Sequence, residues 1–179
     1  MKKLTAILPA LLAGVLGLQV SPLASGDDKE MIDANTQRAL TWLRSTGPEA
    51  EKLLETAAGV LVFPDIVKMG FGAGGEFGEG ALLVRGEAVD YYATAGQEHG
   101  MGPESEFKAE VIFFMTEQAL ENFRRTHSWK VGDHAQVPVA LSGSEALRSL
   151  EEHIGLVLSE DGLITHLQLE GDRITRIAR

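Results

Sequence analysis

The sequence predicts one α+β domain: a curved, mainly antiparallel sheet or partial barrel, rich in glycine, covered by N-terminal and central helices. Three observations lead there. Apolar residues recur at helical spacing between residues 31 and 56 and again after Thr116. Runs of β-branched and aromatic residues bounded by turn formers fill 59–63, 109–115 and 154–177. Gly70, Gly72, Gly74, Gly75, Gly78 and Gly80 interrupt an extended stretch, as happens where strands bend or backbones approach closely. The 179 residues, 44% hydrophobic and 23% charged, are too apolar for a disordered chain and suit a single core. Cysteine is absent, which removes disulfides, thiolate nucleophiles and Cys-ligated zinc or iron–sulfur clusters.

Residues 1–26 read as a secretory signal. Lys2 and Lys3 give a basic start, 4–20 is almost unbroken apolar chain, and Ala24 and Gly26 supply small residues for cleavage after Gly26. An uncleaved anchor is the alternative, although Pro9 and the short apolar run disfavour it. Without Lys2 and Lys3 the chain keeps 14 basic residues against 26 acidic ones, a net charge of −12. The expected location is the periplasm or outside the cell, with peripheral membrane association.

Residues 27–179 form the predicted domain. Met31, Ile32, Ala39, Leu40, Trp42 and Leu43 give the first helix its apolar face; Gly47-Pro48 ends it, and 49–56 forms a second helix with Leu53 and Leu54 inward. Residues 59–63 form a strand closed by Pro64, and bent strands occupy 66–84. Residues 88–95, with Tyr91-Tyr92, and the buried run 109–115 are further strands, after which Thr116 caps a helix carrying Leu120 and Phe123 inward. Ser144 with Glu145 reads as another N-cap. The turn pairs Asp161-Gly162 and Gly171-Asp172 split the C-terminal region into a three-stranded meander of 154–159, 163–169 and 173–177.

Gly70, Gly72 and Gly75 match the spacing of a dinucleotide-binding fingerprint. That fingerprint needs a helix to open at its third glycine, whose N-terminal amides hold the pyrophosphate. Here Gly78 and Gly80 follow at once, and each interior glycine costs a helix about 1 kcal/mol relative to alanine. The segment is therefore read as bent strand, with the missing side chains leaving room for aromatics such as Phe71 and Phe77.

No catalytic constellation emerges. His99, His127, His134, His153 and His166 fall in no ligand spacing, Ser142-Gly143-Ser144 lacks the nucleophile-elbow pattern, and Glu104/Glu106 and Glu151/Glu152 read as solvated pairs. Glu110, inside the run 109–115, is notable if buried, or lines the open side of the sheet. No metal and no cofactor are expected. A strongly acidic chain whose basic cluster is confined to Arg124, Arg125 and Lys130 disfavours nucleic acid.

The order of motifs resembles the SYLF-domain family. The residues concerned are Ala57-Ala58-Gly59-Val60-Leu61-Val62-Phe63-Pro64, Lys68-Met69-Gly70-Phe71-Gly72-Ala73-Gly74-Gly75, Gly78-Glu79-Gly80-Ala81-Leu82 and Tyr91-Tyr92. The likeness continues through Phe114-Met115-Thr116, Trp129-Lys130-Val131-Gly132 and Leu169-Glu170-Gly171-Asp172-Arg173-Ile174-Thr175. It implies a non-enzymatic lipid-binding module, since eukaryotic members bind phosphoinositide membranes and fungal ones actin, while bacterial members are exported envelope proteins. Two departures stand out. Glu104 and Glu106 replace family amides, and the first helix holds only Arg38 and Arg44 as basic residues beyond its start.

The expected function is phospholipid or membrane binding in the bacterial envelope, with an envelope protein as a further partner. The alternative is a periplasmic interaction or scaffold module that touches no lipid. Lys52, Lys68 and Arg85 are the candidate head-group contacts, with Trp42 as the apolar one.

Overall fold

The coordinates, a computed structural model, describe residues 28–69, 74–97, 108–140, 142–159, 162–164 and 169–179. The signal segment, Gly70, Phe71, Gly72, His99, Glu104, Glu106 and His166 lie outside the described residues.

Two helices open the described chain. Asp28 caps α1 (Lys29–Ser45) by accepting the Met31 N–H at 2.9 Å, and Ile32, Thr36, Ala39, Leu40 and Leu43 form its buried stripe. Gly47, at φ +148°, turns the chain into α2 (Pro48–Thr56), with Pro48 in the first turn, where its missing N–H costs nothing. Strands β1 (Gly59–Phe63), β2 (Val67–Met69), β3 (Gly75–Val84), β4 (Glu87–Gln97) and β5 (Lys108–Phe114) follow. Thr116 then caps α3 (Glu117–Arg125), accepting from the Ala119 N–H at 3.1 Å. After β6 (Ser128–Lys130) come α4 (Gly143–Arg148), β7 (His153–Ser159), β8 (Gly162–Leu163) and β9 (Arg173–Ile177).

The strands form one sheet in the order β6-β9-β4-β3-β1-β5-β7-β8, with β2 beside β3. Every ladder is antiparallel. Successive side chains point to opposite faces, so β1 sends Leu61 and Phe63 to one core and Val60 and Val62 to another. The sheet is curled. Trp129 on β6 and His153 on β7, strands near opposite edges, come within 5.7 Å across the inner core. The outer face is covered by α1, α2 and α4. Helix α3 plugs one end of the curl, where Phe123 meets Tyr92 at 4.8 Å, Phe114 at 4.7 Å and Trp129 at 5.5 Å.

Glycine makes the curl. The chain from Val62 to Ile66 passes over β3 so closely that a Cβ on Gly80 would overlap the Val62 carbonyl oxygen, and one on Gly78 would lie 2.9 Å from the Asp65 carbonyl oxygen. The aromatic filling this space is Phe63, whose Cδ1 would lie 2.7 Å from a Gly80 Cβ; Phe77 stands on the opposite side of β3 and is only half-buried. Gly75 begins a strand paired to both β2 and β4, so the helix start that a pyrophosphate needs does not occur there.

Two local expectations are corrected. Strand β9 does not complete a meander; it pairs with β4 and β6, while β8 pairs with β7. Ser142, not Ser144, caps α4, accepting from the Glu145 N–H at 3.2 Å and placing Ser144 inside the first turn.

Candidate functional site

Both ends of the curled sheet concentrate charge. At the end opposite α3, Lys108 is wholly buried and its Nζ lies between Glu76 Oε2 and Glu110 Oε1, the latter at 2.8 Å. Glu76 is 5% exposed and Glu110 3%. These groups meet because Lys108 and Glu110 are two residues apart on β5, hence on one face, and the curl brings β3 across to them. Burial opposes the charge on Lys108, but Glu110 and Glu76 outweigh it and hold the ammonium pKa above its ordinary value. Asp172, just before β9, completes the group. Burial, and then the negative charge of Glu110 and Glu76, push its carboxyl up to about 8. It fits there because position 96 is glycine: any Cβ would overlap the Asp172 carboxylate.

Asp172 gives this end a pH signature. An acid with a folded pKa near 8 and an ordinary value of 3.8 keeps its proton in the folded state after the unfolded chain has lost it. Stability therefore falls as pH rises between those values, by about 1.4 kcal/mol per pH unit at most for one proton. Asp172→Asn, which mimics the protonated acid, is expected to remove this slope. Urea midpoints at pH 5 and pH 8 check it: the variant gains on the parent at the higher pH, whereas parallel behaviour would contradict the assignment.

Among the described residues, no group of three or more His, Cys, Asp or Glu side chains is placed to hold a metal ion. His153 packs as an aromatic, 5.5 Å from Phe114, and burial lowers its pKa against the raising influence of Glu152.

The α3 end carries two kinds of cleft. On the outer face a cavity of about 400 Å³ lies between the helices and the β3–β4 turn, with Leu40, Leu54, Val60 and Leu83 as apolar lining, Arg44 and Arg85 as cations and Glu51 and Glu55 as carboxylates. Arg44 also pairs with Glu51 at 2.8 Å, which ties α1 to α2. Arg85 and Gly86 form a two-residue turn with both φ values positive, +54° and +81°, a conformation normally given to Asn-Gly. The second kind lies around Arg124 and Arg176, which converge on Asp90.

No family model matches the chain, and no curated protein does.

Of the four candidate lipid contacts, Lys52, Lys68, Arg85 and Trp42, the outer cavity is lined by Arg85. Lys52 is exposed on α2 outside that lining. Lys68 faces Glu76 in the β2–β3 ladder, and the nine residue steps from Glu76 to Arg85 span roughly 30 Å of extended chain, so Lys68 and Arg85 lie at opposite ends of β3. Trp42 is half-buried against the outer core, because the apolar stripe of α1 packs on the sheet. Of the glycines, Gly75, Gly78 and Gly80 lie in β3, and Gly74 precedes it. No helix among the described residues is long and apolar enough to cross a membrane.

Glu110, singled out from sequence as notable if buried, is buried; its partner Lys108 was missed, although a lysine and a glutamate two apart in a strand share one face. Sequence reading missed the Asp90 group because its members come from three separate elements.

Proposed function

We propose that the chain is a non-enzymatic phospholipid-binding module of the bacterial envelope, exported by its first 26 residues, and that the outer cavity takes the lipid. The observation that carries this is Arg85. It is held in a left-handed backbone conformation beside an apolar cavity, where a turn built only for folding would place asparagine or glycine. A strained residue that also supplies a cation is better explained by a ligand than by the turn. The cavity volume of about 400 Å³ suits part of an amphiphile, with apolar walls for acyl carbon and a guanidinium for phosphate. The ordered motifs that resemble the SYLF family point to the same ligand class.

The test is vesicle flotation of residues 27–179, a segment that contains every described element. The parent is expected to float with phosphatidylglycerol vesicles more than with phosphatidylcholine. Arg85→Asn is expected to cut flotation about fivefold without lowering the melting temperature, because Asn-Gly suits the turn at least as well. Lys68→Glu, at the far end of β3, leaves flotation unchanged. Undiminished flotation of Arg85→Asn would remove the cavity from consideration. A parent that floats with neither vesicle but cross-links to an envelope protein would favour the scaffold alternative.

A further inference from the structure

On the α3 end, three elements bring charge to one point. Asp90 of β4 is 7% exposed, and two guanidiniums close on it: Arg124 from the last turn of α3 and Arg176 from β9. Arg124 uses Nε and Nη2 on Asp90 Oδ2, each at 3.2 Å, while Arg176 uses Nη2 on Oδ1. A guanidinium carries five N–H donors, so most of the donors of this pair remain uncommitted. Tyr92 gives them nothing: it faces Arg176 in the β4–β9 ladder, yet its buried hydroxyl has no hydrogen-bond partner.

The side chains stay accessible. Arg124 is 44% exposed and Arg176 46%, and Arg176 borders two adjoining clefts of about 430 and 520 Å³. The first also holds Arg125, Leu120, Glu121 and Glu117. Arg125 is occupied by Glu121, and Glu117 stands at the opposite end of the helix. At Asp90 itself, then, two cations share one buried anion and leave a charge of +1 in a fork geometry, with the Glu117 carboxylate on the far side of the same cleft.

We infer that Arg124 and Arg176, set by Asp90, form a binding site for a phosphate-class oxyanion, separate from the outer cavity. Asp90 orients the two forks and tempers their charge, which limits the affinity the pair offers. The site does not depend on the outer cavity holding lipid, because it shares no lining residue with it. Its ligand is either free phosphate or phosphomonoester, or the head group of a phosphomonoester lipid.

The test is calorimetric titration of the full chain with inorganic phosphate at low salt, beside binding to phosphatidylcholine vesicles with and without phosphatidate. One saturable site is expected for phosphate, weakened about tenfold by Arg176→Gln. Asp90→Asn is expected to tighten binding about fivefold, since it removes the competing anion. A purely structural salt bridge predicts no such gain. Arg124→Lys, which keeps the charge and loses the fork, weakens binding and decides the matter if the Asp90 variant does not fold. Binding of phosphatidate vesicles alone, with the same variant order, would assign the site to a lipid head group. Absence of both, or binding indifferent to all three substitutions, would overturn the inference.

Discussion

Lys108→Met is expected to destabilise the protein by about 3–5 kcal/mol, the usual consequence of removing one partner from a buried ion pair. The ammonium is fully enclosed and holds two carboxylates that are themselves almost wholly buried, with Asp172 close by. Methionine matches the stem of lysine in volume, so the loss comes from two uncompensated charges, not from a void. Adding Glu76→Gln and Glu110→Gln to Lys108→Met should therefore restore much of the stability. Denaturant unfolding of the single and triple variants checks both parts. A single variant as stable as the parent, or a triple variant no better than the single, would show that the cluster is not held by charge.

Gly80→Ala should cost about 3 kcal/mol or more, at the upper end of overpacking effects, because the obstacle is backbone. A Cβ there overlaps the Val62 carbonyl, and Val62 is fixed in ladders with both β3 and β5. No side-chain rotation relieves the clash. Gly75→Ala offers the comparison, since its Cβ would meet the Gly96 carbonyl oxygen at 3.3 Å and asks only a small adjustment. Thermal melts of the two should differ widely. Equal melting temperatures would mean that the chain from Val62 to Ile66 does not pass over β3 as closely as described.

These two substitutions probe one construction. The glycines let the chain beyond β1 fold over β3, and the resulting curl brings Glu76, Lys108, Glu110 and Asp172 together from three parts of the sheet. At the other end the same curl is filled by Phe123 of α3, whose neighbours in sequence, Arg124 and Arg125, are carried to the rim. Apolar filling and exposed arginines thus follow from one helix with two faces.

Local chemistry made a large part of this legible in the chain. The Thr116 cap, the Gly47-Pro48 break, the strands near 59–63 and 109–115 and the extended character of Gly75, Gly78 and Gly80 are properties of short windows, and each appears in the structure. Period and cap residues act over a few positions, so they can be read without knowing the fold. Arg85 was visible as a cation beside the glycine-rich strands, but its left-handed turn and its cavity were not.

The sequence by itself determined most of the helical and extended segments, their apolar faces and the extended, glycine-dependent character of 75–80. Only the tertiary structure decided that β9 joins β4 instead of β8, that Lys108 is sealed between two glutamates, and that Arg124 and Arg176 share Asp90. The physical reason is range. Backbone propensity and side-chain period are set by neighbours along the chain, whereas strand partners and charge pairs are chosen by which long-range closure buries the most apolar surface without stranding a polar group.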